Sequence, residues 1–278
     1  MRHPKGITHI RQEAANGRRY ALLRLGLGCN LDCLFCNVPW EDYDHPMRLS
    51  LGQIRAQLDA LAAQGCESLH ISGGEPTIRP ELQDIIAYAR SKGFCRLEIQ
   101  TNAVLCRSTA LVRRFKEAGL THAFVGFHSQ FPRLHDFLVR SPGAFAASVQ
   151  GIRNLTQAGI HVALNPVVTR LTYKTLVGFM EFIHSSVPGV ESISLSVMQP
   201  HGRASKRPAL LPRYGHISPF IEQAVEKAEQ LGLIVNNPFC GLPLCIGGWH
   251  KRLLQNVEYC EATFGRVPGD GEKIHPAV

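Results

Sequence analysis

The sequence predicts an α/β fold built on a parallel sheet, and three observations predict it. Strand-like runs alternate with helix-length amphipathic segments from residue 20 to residue 198. Several helical segments end in Gln-Gly, Lys-Gly or Ala-Gly pairs, the mark of a left-handed cap that returns the chain to a strand. Helical crossovers make the strands parallel, because an antiparallel pair needs only a tight turn. Periodicity leaves two closures open, a partial barrel and an open doubly wound sheet. In both, ligands gather at the carboxyl ends of the strands.

Residues 20–27 read as the first strand, and Ser50 caps a helix over 50–64 with apolar residues at Leu51, Ile54, Leu58 and Leu61. Strands are then expected at 68–72, 96–101, 123–128, 161–168 and 192–198, and helices at 80–92, 108–118, 145–158 and 173–186. After Met198 the texture changes. Residues 201–208 are basic and turn-rich, as in a linker or cover segment; a further helix is expected over 218–231. The tail beyond it carries three cysteines among Gly and Pro, a small lid organised by metal.

A chain of 278 residues with 45% hydrophobic content buries enough surface to fold without disulfides, and disorder, collagen and coiled coil are excluded. The first ten residues lack the apolar core of a signal peptide, and no later run approaches about eighteen uncharged apolar residues. A cytoplasmic protein without a membrane span is expected. Nine cysteines is an odd number, and in a reducing compartment clustered thiols point to metal or redox chemistry. The +8 charge is scattered, with no basic stripe interleaved with aromatics, so nucleic acid is not an expected partner.

The strongest signal follows the first strand: Cys29-Asn-Leu-Asp-Cys33-Leu-Phe-Cys36. Three thiolates on one loop can hold three irons of a [4Fe–4S] cluster and leave the fourth open, whereas structural zinc takes a fourth protein ligand. A zinc knuckle completed by His45 or a distant cysteine is the alternative. Phe35, beside the last thiol, is placed to shield the cluster or stack on a ligand. Ser72-Gly-Gly-Glu-Pro76 follows the second strand; its glycines let backbone approach a ligand, and Glu75 can offset an ammonium charge.

With the triplet and Gly73-Gly74-Glu75-Pro76 one βα unit apart, the chain resembles the radical S-adenosylmethionine (radical SAM) family. The resemblance implies a partial (β/α)6 TIM-like barrel over 20–200, an N-terminal extension over 1–19, and a linker with a small cluster-binding extension over 201–278. It makes Cys29, Cys33 and Cys36 the ligands of a SAM-binding [4Fe–4S] cluster and brings the methionine amino group to the Gly73–Pro76 turn. At later strand ends Thr101-Asn102, His128-Ser129 and Asn165 lie where the family places polar groups that hold the ribose and the methionine carboxylate; the resemblance carries Asn102, Ser129, Arg140 and Asn165 over in that role, although each also reads as a cap or a satisfied core polar group. Residues 197–203 resemble the segment that ends the sixth strand in molybdopterin-precursor cyclases. There the Met198 backbone would contact adenine, with Gln199, His201 and Arg203 toward substrate; Arg203, Lys206 and Arg207 also read as a solvated charge run.

Cys240, Cys245 and Cys260 form a CX4CX14C pattern similar to the C-terminal triplets of SPASM and twitch members, which implies a twitch-like domain with an auxiliary iron–sulfur cluster, most readily [4Fe–4S]. No fourth cysteine follows Cys260, so a substrate atom, His250, a water or an upstream residue would complete it; zinc or buried thiols are the alternatives. The implied reaction is reductive cleavage of SAM to a 5′-deoxyadenosyl radical that abstracts hydrogen, served by a flavodoxin- or ferredoxin-like electron donor. The short stretch before the first strand tilts the expected substrate toward a small polar metabolite, a sugar, nucleotide or amino-acid derivative, undergoing epimerisation, dehydrogenation or rearrangement. Peptide maturation is the alternative, and a non-catalytic zinc-dependent nucleic-acid binder a remote one.

Of the remaining cysteines, Cys66 and Cys95 fall at the base of the sheet. Cys106 falls after the third strand, where it is expected at the mouth as a hydrogen-atom donor to a substrate radical, or else as a small buried hydrophobe. His135 and Asp136 are candidate substrate contacts or a base, with a helix-start Asp as the ordinary reading.

Overall fold

A strand that buries one row of side chains and turns the other toward a polar interior fits a barrel wall covered by helices. The computed structural model describes residues 8–12, 19–38, 48–236 and 246–247. Its first strand, β1 (Thr8–Gln12), runs antiparallel to β2 (Arg19–Arg24). There follow α1 (Leu51–Ala63), β3 (Cys66–Ser72), α2 (Leu82–Ser91), β4 (Arg96–Thr101), α3 (Thr109–Ala118) and β5 (His122–Val125). Two helices, α4 (Pro132–Val139) and α5 (Ala144–Gln157), lead to β6 (His161–Leu164) and its continuation β7 (Val167–Val168). Then come α6 (Leu176–Ser186), β8 (Val190–Ser194), its continuation β9 (Ser196–Val197), α7 (Tyr214–Gln230) and β10 (Ile234–Asn236).

The main sheet has the order β1-β2-β3-β4-β5-β6-β8-β10, parallel throughout after its first pair. Neighbours follow chain order with helices between them, which is the winding of a barrel; a doubly wound sheet reverses direction at a switch point. The ends β1 and β10 are the two edges of the described sheet, so the barrel is partial. Leu23, Ile71, Ile99, Ala123 and Val162 stand in register and are fully buried in the core beneath the helices. The adjacent row, Leu22, His70, Glu98, His122 and His161, points the opposite way and makes that face polar.

Local chemistry places the elements where the spacing predicts. Ser50 accepts from the Gln53 nitrogen at 3.3 Å while Gln53 Oε1 accepts from the Ser50 nitrogen at 2.8 Å, a capping box that starts α1. Gly119 ends α3 in a left-handed cap at φ 110°.

Several elements differ from the expectation. Residues 161–168 break at Pro166, which has no N–H to give to a ladder, and the partner run breaks likewise at Leu195; the far pieces pair as β7 and β9. Helix α4 lies in what reads as a loop, and β1 lies within the expected N-terminal extension. Helix α7 starts earlier than expected and keeps Pro219 inside it, and β10 adds to β8, so this sheet and its helix layer run past residue 200. Among the described residues no helix is long and apolar enough to cross a membrane. The expected auxiliary triplet Cys240, Cys245 and Cys260, with His250, lies outside the described residues, as does His45.

Candidate functional site

The loop after β2 and the turn after β3 are stitched by backbone. Leu25 N donates to Ser72 O at 3.0 Å, Gly74 N to Gly26 O at 2.9 Å, and Glu75 N to Gly28 O at 2.8 Å. A Cβ on Gly74 would fall 2.1 Å from Gly28 O, so only glycine fits. The glycines were expected to admit a ligand; their missing side chains make room for the chain's own backbone, while both residues also line the cavity described below.

The cysteine loop hangs from the end of α4. Asp32 N donates to Val139 O at 3.2 Å and Leu34 N to Leu138 O at 2.9 Å, filling carbonyls that the last turn of a helix leaves unpaired. On the other side Ala204 N donates to Cys36 O at 3.3 Å. The Asp32 carboxylate lies between two guanidinium groups, 2.8 Å from Arg140 Nη1 and 2.6 Å from Arg203 Nη1.

A cavity of about 260 Å³ opens at the carboxyl ends of the strands, with Cys29, Cys33 and Cys36 on one side and Gly73, Gly74 and Glu75 on another. All three thiols are free and half-buried. Burial raises the Cys29 thiol pKa to about 11 and that of Cys33 to about 12, with neighbouring acidic groups adding to the rise, so bare thiolates are disfavoured until a cation offsets their charge. Among the described residues no three His, Cys, Asp or Glu side chains converge on a point that one ion could occupy. Three thiols on one loop are a donor set that fits a cuboidal iron–sulfur cluster, one thiolate to each of three irons.

Glu75 is 3% exposed. Its Oε1 accepts from Thr77 N at 3.1 Å, Thr77 Oγ1 at 2.6 Å and Thr101 Oγ1 at 2.7 Å, and its Oε2 from Asn102 N at 2.7 Å. Burial pushes its carboxyl pKa up, and these donors pull the other way. The carboxylate fastens the turn to the end of β4, and Oε2, with a single donor, keeps accepting capacity. Pro76 opens a short 3-10 turn, Pro76–Ile78, and faces a neighbouring cavity.

Asn102 lines the cavity with its amide committed, Nδ2 donating to Asn30 Oδ1 at 2.8 Å and Oδ1 accepting from Val104 N at 3.0 Å. Asn165 lines it too; its Nδ2 donates to Ser194 O and Ser196 Oγ, both at 2.7 Å, bridging the break between β8 and β9. Phe35 and Met198 line it and belong to one apolar cluster with Leu31. Gln199 and Arg203 line it as well.

Like Pro76, the expected site residues Ser129, Arg140 and Cys106 do not line this cavity. Ser129 is buried, and its hydroxyl accepts from Phe131 N at 3.1 Å in the turn that starts α4. Arg140 is the left-handed cap of α4 and gives its guanidinium to Asp32. Cys106 is fully buried in the 3-10 turn Leu105–Arg107, packed under α5, where a Cβ on Gly151 would lie 3.1 Å from Cys106 Cβ. Its expected place at the mouth is corrected, because the chain after Ala103 folds back beneath the helix; burial pushes its thiol pKa far up. Asp136 takes the ordinary reading: its carboxylate accepts from Gly143 N at 2.6 Å and Phe145 N at 2.7 Å at the start of α5. His128, at a strand end where the resemblance places polar groups for SAM, lines the cavity, as do Gln100 and Gly126, which sequence reasoning passed over. Their position one or two residues from strand ends was the available signal.

Fold and site together define a partial barrel that carries a thiol loop over the open ends of its strands. The family profile described as Radical SAM superfamily matches residues 23–183, and the chain belongs to that superfamily. It is 28% identical over 176 residues to "Fe-coproporphyrin III synthase" of Methanosarcina barkeri, covering 63% of this chain and 43% of that protein. It is 31% identical over 189 residues to "Probable GTP 3',8-cyclase" of Sulfolobus acidocaldarius, covering 67% and 58%. The chain thus spans about half the length of these curated relatives. Among solved structures, Streptococcus suis SuiB bound to precursor peptide SuiA matches with a TM-score of 0.66 at 15% identity, covering 88% of this chain and 54% of that one, a likeness of fold.

Proposed function

We propose that this cavity binds SAM against a [4Fe–4S] cluster held by Cys29, Cys33 and Cys36, and that the chain is a radical SAM enzyme. One observation carries the reading: three free thiols and a glycine turn, locked together by backbone hydrogen bonds, face the same cavity. Held by Cys29, Cys33 and Cys36, a [4Fe–4S] cluster would supply the electron for reductive cleavage of SAM.

The chain's own residues bind, orient and exclude. Leu31, Phe35, Val167 and Met198 give the thiol side of the cavity an apolar wall that keeps water from a reactive species. Ser72 and Gln100 line its floor, their side chains joined at 2.6 Å, above the polar row that includes His70 and Glu98. A polar floor beneath an apolar wall favours a small polar substrate such as a sugar, nucleotide or amino-acid derivative. Peptide modification is the second reading, favoured by the open side of the described sheet between β1 and β10, which would admit an extended chain. Cys240, Cys245 and Cys260 are proposed as ligands of an auxiliary cluster. The basic excess of the chain suits docking of an acidic flavodoxin- or ferredoxin-like donor.

Anaerobic reconstitution followed by reduction in the presence of SAM tests the reading. It expects acid-labile sulfide, about four irons per chain for one cluster or about eight for two, and release of 5′-deoxyadenosine. Zinc without sulfide and no 5′-deoxyadenosine would overturn it.

A further inference from the structure

We propose that the ion pair of Arg203 and Asp32 tunes the reduction potential of the cluster held by the thiol loop, Arg203 raising it from the cavity wall and Asp32 offsetting part of that charge. The inference rests on the reading of the cavity given above and adds to it two residues that ligate nothing.

Three observations seat Arg203 against the loop. It lines the cavity together with Cys29, Cys33 and Cys36. The backbone on either side of it is packed onto the end of the loop: a Cβ on Gly202 would fall 2.3 Å from Val38 O and 2.9 Å from Cys36 O, and Ala204 N donates to Cys36 O at 3.3 Å. Its Nη1 donates to Asp32 Oδ1 at 2.6 Å, and Asp32 stands in the loop itself, next to Cys33. The guanidinium is therefore held by the same segment that carries the thiols.

Asp32 is also held from the other side. Arg140 Nη1 donates to Oδ2 at 2.8 Å, so each carboxylate oxygen takes one guanidinium. The two cations are not equivalent. Arg203 lines the cavity with its side chain 34% exposed, whereas Arg140 caps α4, does not line the cavity and is 52% exposed. Two guanidinium groups against one carboxylate leave a net positive charge beside the thiols, and Arg203 brings it to the cavity side. At both Cys29 and Cys33 its charge favours the thiolate, against the larger influence of burial.

The sign of the effect follows from charge alone. Reduction adds one electron to the irons with no bond formed or broken, so the loop and its cluster become one unit more negative. A fixed cation nearby favours that state and raises the potential, and a fixed anion lowers it. Because Arg203 is partly buried, solvent and salt screen it less than a fully exposed charge.

The test is a redox titration of the full chain, reconstituted without air and reduced stepwise with dithionite in the absence of SAM, followed by electron paramagnetic resonance. A variant with Cys29, Cys33 and Cys36 all replaced by Ala identifies the signal that belongs to the thiol loop. At a fixed applied potential, Arg203→Gln is expected to lower the ratio of reduced to oxidised cluster about twofold to fivefold, the factor carried by a partly exposed charge. Arg203→Lys keeps the charge and is expected to recover most of that loss. Asp32→Asn keeps an oxygen for Arg203 while removing the opposing charge, and is expected to raise the ratio. Arg140→Gln is expected to lower it less than Arg203→Gln. Iron content is measured in each variant, and a variant that loads less iron is still read, because the potential belongs to the clusters that are present. If the triple-cysteine variant keeps every signal of the unaltered chain, the reading of the cavity fails. If the loop's cluster titrates unchanged in Arg203→Gln, or if Arg203→Gln and Asp32→Asn move it in the same direction, as a merely structural disturbance of the loop would, the inference alone is overturned.

Discussion

Glu75 Oε2 stands 2.7 Å from the backbone nitrogen of Asn102, so a buried carboxylate ties the turn after β3 to the chain leaving β4. Three further donors fill its other oxygen. Glu75→Gln places an amide NH2 or a single carbonyl where four donors converge, and is expected to cost about 2–3 kcal/mol of stability through unpaired buried groups. Urea unfolding of both proteins measures it; an unchanged midpoint would show the carboxylate to be dispensable for the fold.

The glycines separate crowding from strain. Gly65 has φ +75° with nothing within 4 Å of an added Cβ, so Gly65→Ala is expected to cost only the left-handed penalty, about 1–2 kcal/mol. Gly74→Ala drives a methyl into Gly28 O at 2.1 Å and must shift the thiol loop. It is expected to lose iron uptake on reconstitution, whereas Gly65→Ala loads normally. Iron content per chain reads both.

At the amino ends of the strands, His122 stacks on His161 at 4.8 Å and lies half-buried, and its pKa falls to about 4 through burial and the charges of Arg96 and His161. The fold disfavours the extra proton, so the unfolded chain takes it up first. Stability is therefore full above pH 6.5 and declines as pH falls toward about 4. Solvent screening of a half-exposed ring reduces the decline to about 1–2 kcal/mol. His122→Gln is expected to flatten this part of the curve, measured as the unfolding midpoint at intervals between pH 7 and pH 4.

Cys106 packs beneath α5 away from the cavity. Cys106→Ala is expected to cost about 1 kcal/mol of stability by removing a small buried hydrophobe. 5′-Deoxyadenosine release should remain unchanged, and chromatography of the quenched reaction checks this. A large loss of release at full iron loading would return Cys106 to the site.

The parallel sheet, the helices around it and the two motif loops were legible because each rests on local signals. Ser50 caps its helix, Gly119 ends another, and the Cys29–Cys36 and Gly73–Pro76 motifs sit at the strand ends where a parallel fold puts ligands. Helix α4 escaped because its eight residues give few turns in which a period can show, and because Phe131 and Phe137 are exposed. Strand β10 is three residues long and acquires meaning only beside β8. Ser129 and Arg140 do not line the cavity because both belong to the ends of that unseen helix, one in its entry turn and one in its cap.

The bonds from Asp32 N and Leu34 N to the last carbonyls of α4 make one ending serve two purposes. The thiol loop completes a helix much later in the chain, and the helix in turn fixes the loop. Stripping iron should therefore loosen α4 along with its own ligands, and amide exchange at Arg140 and Ser141 should quicken even though neither residue touches metal. A chain that has lost its iron would then present a frayed helix end, a visible handle by which quality control could tell loaded molecules from empty ones.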